Sequence, residues 1–327
     1  MARSGCSLAR TGKAAVLTAA FFVGPLAAAA PFAYITNQKG NSISIIDTAT
    51  GSVAKTLALK PGSEPAGVAV SADGSRVCIA NPTGKTVTVI DGRTQQIAGD
   101  IPAGTGPVGI AVDSHGRFAY AADWYEHYLA VLDLEARGVV ARIPVGHSPA
   151  GVVLTRDGSR IYVANRDDNS VSEIDAKTRA VTRTVAVGRH PFGILLDPSE
   201  RILYTANVEG NDVSVVNLAR MQVVRTVAVG DRPYALAAAA GRLFVTVQYD
   251  NAVTVLDAEK LTTLGKVAVG EYPEGIATHP DGKRIYVANW FDNTVSVIDA
   301  ETLRVVATIP TGDGSRAFGE FIGPRSL

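Results

Sequence analysis

From residue 31 onward the chain reads as short apolar runs of four to seven residues, rich in Val, Ile, Tyr and Thr, separated by Asp-Gly or Asn-rich punctuation. Such runs bounded by turn residues are strand and hairpin signals, and nothing after residue 30 carries a helical period. In the copy from Pro149 to Gly188 the pattern predicts four strands: Gly151 to Leu154, Ile161 to Asn165, Ser170 to Asp175 and Ala180 to Val187. Many of these strands are apolar on both faces, which a strand needs when it is sandwiched between two neighbouring sheets.

The pattern repeats. Aligning each copy on the residue that ends its third run gives Asp47, Asp91, Asp133, Asp175, Asn217, Asp257 and Asp299, spaced by 44, 42, 42, 42, 40 and 42 residues. A Gly-x-x-Pro marker keeps the same beat at Gly104/Pro107, Gly146/Pro149, Gly188/Pro191, Gly230/Pro233 and Gly270/Pro273. Periods of roughly 40 to 45 residues with several strands per unit predict a propeller. The expected fold is therefore all-β, a seven-bladed propeller of four-stranded antiparallel blades. The repeat is out of phase at its ends, since the first unit starts with its second strand, Ala33 to Asn37. The segment Ala317 to Ile322 aligns with a first strand, so it is expected to complete the N-terminal blade and close the ring.

Several motifs look like the repeat of the YVTN β-propeller family. They are Tyr162-Val163-Ala164-Asn165 and Tyr286-Val287-Ala288-Asn289, then Asn-x-Val-Ser-x-Ile-Asp, Val-Ala-Val-Gly and Pro-x-Gly-Ile. The resemblance runs through all seven copies and differs from WD40 repeats, which carry Gly-His and Trp-Asp pairs. It implies seven blades in an exported or surface protein that binds a partner, and it fixes no activity.

Composition adds a compartment and removes some partners. Arg3, Arg10 and Lys13 precede an apolar run from Ala14 to Leu26 that ends in the small residues Ala27 to Ala30, the order of a secretory signal peptide. Residues 1–30 are read as that leader and 31–327 as the propeller, giving a periplasmic or secreted protein with no transmembrane segment in the mature chain. Three of the 31 basic residues fall in the leader, leaving 28 against 31 acidic, so nucleic acid is not an expected partner. Cys78 is the only mature cysteine and is read as a core thiol.

A residue found in every blade serves the architecture, whereas a binding site is needed once. The strand-ending Asp residues are read as turn acceptors, and Arg76, Arg117, Arg160, Arg201, Arg242 and Arg284 as a ring neutralised by turn acids. The other face collects the loops that diverge. There the candidate ligand-binding set is Trp124, Tyr125, His127, His147, His190, Phe192, Tyr234, Tyr272, Glu274, Trp290, Phe291 and Arg316, expected around one mouth of the channel with Glu274 and Arg316 close enough to pair. Exposed aromatic residues favour ligands and partners, although Trp124 and Trp290 could equally lie flat on an adjacent blade. With acidic neighbours such as Glu126, Asp167 and Asp292, this mouth is expected to prefer a cationic or neutral ligand. The histidines with Asp123 or Glu126 could hold a metal, but no His-x-x-x-His or Cys-x-x-Cys spacing supports one. Phosphate loops, a Ser nucleophile elbow and a haem-attachment Cys-x-x-Cys-His are absent. The sequence thus points to a monomeric binding platform for a small molecule or an envelope protein, with no catalytic residue, metal or cofactor assigned. The alternatives are a metal-assisted lyase or hydrolase at the same mouth and a structural surface-layer protein.

Overall fold

The computed structural model describes Met1, Ala2, Gly5 and residues 31–323, so the leader reading lies outside the described residues. Seven antiparallel sheets form the ring, with 27 strands and no helix among the described residues. Blade I holds Phe32–Asn37, Ser42–Asp47 and Ser52–Ala58. Blades II to VII are four-stranded and begin with Gly67–Val70, Pro107–Val112, Pro149–Leu154, Pro191–Leu196, Pro233–Ala239 and Pro273–Thr278. In blade IV the other strands are Arg160–Asn165, Ser170–Asp175 and Ala180–Ala186, within two residues of the sequence reading at every end.

The core lies between blades. In Arg160–Asn165, Ile161 and Val163 pack against Tyr120, Leu129 and Val131 of blade III. The intervening Tyr162 packs against Leu203 and Val216 of blade V. One strand thus feeds two cores through its period of two, which explains apolar residues on both faces. The fourth strands form the outer wall, and Ala180–Ala186 is exposed at every position but one. The strand-ending acids do act as turn acceptors: Asp299 Oδ1 accepts from the Glu301 and Thr302 amides at 3.1 and 2.7 Å.

Along the axis, the innermost strands touch through backbone. A Cβ placed on Gly109 would sit 1.8 Å from the Ala150 carbonyl oxygen, and one on Gly193 would sit 2.4 Å from that of Tyr234. Gly67, Gly151 and Gly275 face the next blade in the same way. In the two blades with Ala at this position, Ala235 and Ala317, a threonine from the second strand takes the carbonyl instead. Thr246 Oγ1 donates to Glu274 O and Thr36 Oγ1 to Ala66 O, each at 3.0 Å. The five glycine blades have Ala80, Ala122, Ala164, Ala206 and Ala288 where these threonines stand.

At the join, the first strand expected to complete blade I, Ala317 to Ile322, is not continuous. Isolated antiparallel bridges link Asn37 to Ser315 and Ala33 to Ile322. Against the corresponding stretch of blade IV, the pairing runs from Pro149 to Leu154. The C-terminal segment therefore has two more residues than a first strand between equivalent partners, and it bows away from blade I. Its middle instead pairs in parallel with blade II, where the Val68 amide donates to Phe318 O at 2.8 Å and the Val70 amide to Glu320 O at 2.9 Å. Gly319 makes the bow possible: its φ is +120°, and a Cβ there would sit 2.4 Å from Val68 O.

Candidate functional site

The sequence-predicted set divides into a buried plug, an exposed rim and a histidine group. The plug closes the channel on the face of the divergent loops. Phe192 stacks on Tyr234 with centroids 4.4 Å apart, and Phe318 lies 4.8 Å from Phe192 and 5.5 Å from Tyr234. All three rings are buried. Trp124 covers them from above, 6.0 Å from Phe192, with the Arg166 guanidinium over its face. Beside this stack, Arg316 and Glu274 form an ion pair whose carboxyl group also accepts from Gln248 Nε2 at 3.1 Å, while Arg316 Nη2 donates to Tyr234 Oη at 2.8 Å. Burial raises the Glu274 carboxyl against the opposing pull of Arg316. Burial also works against the Arg316 charge, but Glu274 and Tyr234 together outweigh it. With its polar atoms paired to one another, this end of the channel is sealed.

Outside the plug, four rings form a ladder across blades VI and VII. Tyr249, Tyr272, Phe291 and Trp290 stand 5.9, 5.0 and 4.7 Å apart in that order. Tyr249 is 56% and Phe291 47% exposed. Cations of the chain already cover these faces: Arg232 over Tyr249, and Lys39 over both Trp290 and Phe291. Two of the acids expected to attract a cation are occupied too: Asp292 accepts the Glu271 amide and Asp167 the Ser148 hydroxyl. Tyr125 is 68% exposed and lies against Gly106.

The histidines serve the loops. His127 and His147 meet edge to face at 4.7 Å; His127 Nδ1 accepts the Ser148 amide, and His147 pairs with Asp168 at 2.7 Å. His190 Nδ1 lies 3.1 Å from Glu209 without the alignment of a hydrogen bond. Asp123 is fully buried and accepts from the amides of Thr105, Gly106, Tyr125 and Glu126. It anchors two loops, which explains why this blade departs from Asn. Among the described residues no group of three His, Cys, Asp or Glu is placed to hold a metal ion.

The channel opens at the other end. A cavity of about 590 Å³ lies beneath the plug and is lined by innermost strands of all seven blades, with Phe318 in its wall and the turn residues Ser114, Arg156 and Pro280 at its outer end. Val152, Leu154, Ile194 and Ile322 are half-buried there, apolar side chains that touch solvent inside the ring. Its polar lining is small. Ser71 and Thr155 donate to Asp73 and Asp157 of their own turns, Ser114 is joined to His115, and Arg156 donates to Pro198 O. The remaining polar residue, Glu320, has no side-chain partner among the described residues. Solvent reaches its carboxyl group, yet the wall surrounds it, and burial raises it above the ordinary glutamate range. The sequence reading missed this residue; its one signal is an acidic side chain in a stretch aligned with apolar first strands.

Residues 234–317 match the family described as Cytochrome D1 heme domain, and residues 141–223 the family described as Lactonase, 7-bladed beta-propeller. The chain is a seven-bladed β-propeller. No curated protein sequence matches it. Among solved structures, it is similar to a functionally unknown protein from Desulfotomaculum acetoxidans DSM 771, at TM-score 0.75 and 13% identity over 88% of this chain and 99% of that one. The dihydro-heme d1 dehydrogenase NirN in complex with DHE gives 0.67 and 17% over 86% and 63%. The Kuenenia stuttgartiensis hydrazine synthase gives 0.56 and 21% over 76% and 99%. At these identities the likeness is one of fold. Among the described residues no helix is long and apolar enough to cross a membrane.

Proposed function

We propose that this propeller is a non-catalytic binding protein that takes a small, largely apolar ligand into the channel cavity, through the end opposite the mouth expected from sequence. The observation that carries the reading is the cavity itself: its volume falls in the range of small-molecule sites, and its walls expose apolar side chains to water. The leader of residues 1–30, a mature chain of residues 31–327, a periplasmic or secreted location, a monomeric state and kinship with YVTN repeats complete the proposal on the sequence patterns given above. A haem, as the cytochrome D1 match and NirN suggest, does not fit this cavity. Haem iron needs an axial donor, and the cavity wall contains no His, Met, Cys or Tyr. The metal-assisted lyase or hydrolase reading has no donor set of three among the described residues to support it.

A neutral probe tests the cavity. Titration of 1-adamantanol, followed by NMR, is expected to show saturable binding that disappears in Ala111→Phe, which fills the lumen. Unsaturable shifts in the wild type, or unchanged affinity in a folded Ala111→Phe protein, would refute the reading. The exposed Tyr249–Phe291 ladder favours a second use, docking of a protein partner on the opposite face.

A further inference from the structure

The closing segment differs from the six other innermost strands in a way that bears on the ligand. Its two additional residues are accommodated around Gly319 and Glu320, where the chain leaves blade I and pairs with blade II. The bow brings Glu320 into a lumen whose other walls, apart from the turn-end residues Ser71, Ser114, Thr155, Arg156 and Pro280, are Gly, Ala, Val, Ile, Leu and Phe. All other polar side chains of the lining are engaged in their own turns or, for Arg156, with Pro198 O and the 3.9 Å contact to Glu200. Glu320 is exposed to solvent within the lumen and has no side-chain partner among the described residues, so its carboxylate is open to pairing with a ligand. A ligand that carries a cationic N–H group on a hydrophobic body supplies both missing parts at once. Its ammonium donates to the carboxylate, and its hydrocarbon covers the half-buried Val152, Leu154, Ile194 and Ile322.

We propose that the channel cavity selects hydrophobic ammonium compounds, with Glu320 as counter-ion and specificity-determining residue. The inference rests on the cavity reading above and adds the chemical class of ligand to it. No bond is made or broken; recognition is an ion pair in a concave site with largely apolar walls. Selectivity follows from the same geometry. A neutral isostere retains the apolar contact and loses the charge, and an anionic one meets Glu320 with like charge.

Three adamantane derivatives of nearly equal bulk separate the terms: 1-adamantylammonium, 1-adamantanol and adamantane-1-carboxylate. At neutral pH the wild-type protein is expected to bind the ammonium at least tenfold more tightly than the alcohol, and the carboxylate more weakly than both. Glu320→Gln keeps a side chain of the same size and is expected to abolish the ammonium preference while leaving alcohol binding within twofold. Equal affinity of the wild type for ammonium and alcohol, or a preference that survives Glu320→Gln, overturns the inference and leaves the cavity reading standing. Failure of all three compounds to bind overturns both. Melting curves recorded alongside keep a folding defect from imitating lost selectivity, and Glu320→Asp, which retains the charge, is expected to restore part of the preference.

Discussion

The two ends of the channel are walled by the same seven strands and filled in opposite ways. At one end Phe192, Tyr234 and Phe318 interlock, and the charged pair Glu274–Arg316 satisfies itself against Gln248 and Tyr234. At the other, small side chains leave about 590 Å³, and Glu320 has no side-chain partner among the described residues. A third carboxylate calibrates the contrast: Glu173, 1% exposed within blade IV, is ringed by Arg183, Arg160, Tyr162 and Thr182. Burial raises its carboxyl, but these partners outweigh burial and hold it below the usual range. The buried acids Glu173 and Glu274 are paired where they serve the fold, whereas Glu320 faces the solvent of the lumen with no side-chain partner among the described residues.

The largest effect expected is on the join that both ends share. Removing residues 316–327 takes away Phe318 and the fully buried Phe321 together with the bonds to Thr36, Val68 and Val70. The exposed edges of blades I and II are expected to abolish a cooperative melt, followed by circular dichroism. A transition within a degree or two of the wild type would show that the ring does not depend on this segment. Next comes the plug. Phe192→Ala is expected to cost about 3 kcal/mol in denaturant unfolding. Glu274→Gln, which leaves Arg316 without its counter-ion, is expected to cost a similar amount, about 3 kcal/mol. A loss below about 1 kcal/mol for both would make the sealed end as tolerant as the open one.

At the open end the effect is smaller and has the opposite sign. The folded-state pKa of Glu320 is raised, so the fold binds its proton more tightly than the unfolded chain does. That contribution is complete below the unfolded pKa and is lost as pH rises through the folded value. The other charged group of the lining, Arg156, is turned to Glu200 and Pro198. Glu320→Gln is therefore expected to melt slightly higher than wild type at neutral pH and to match it at low pH, measured by calorimetry across that range. A lower melt at neutral pH would mean that the carboxylate has a structural partner. The smallest change belongs to the rim, where Tyr249→Ala with Phe291→Ala removes two exposed rings and is expected to alter stability by about 0.5 kcal/mol or less.

Blade count, strand positions and the turn role of the acids were legible because each recurs seven times at a fixed interval. Asp299 does for its turn what Asp91 does for another. The mouth was legible only as a list. Trp124, Phe192, Tyr234, Glu274 and Arg316 do gather on one face, but whether seven side chains fill an axial space depends on ring radius and rotamers, which no interval encodes. The cavity at the other end is a consequence of small residues, Ala111, Gly151, Gly193 and Ala235, whose service to backbone contact hides the space they leave. Glu320 was missed for another reason. Counting from Arg316 assigned the closing segment the register of a normal first strand, and Ser315 stands where Pro marks that register elsewhere.

The exchange of Gly with Ala for Ala with Thr along the axis restricts the order in which such a chain can change. In blade V, Gly193→Ala alone drives a methyl group into the Tyr234 carbonyl, while Ala206→Thr alone adds a hydroxyl before the gap it bridges exists. Each substitution is disfavoured without the other, so the two residues behave as one heritable unit although they lie 13 positions apart. Five blades carry one form and two the other. A blade copied into a neighbour's place would therefore have to bring both residues with it, and recombination breakpoints between the first and second strands would be selected against.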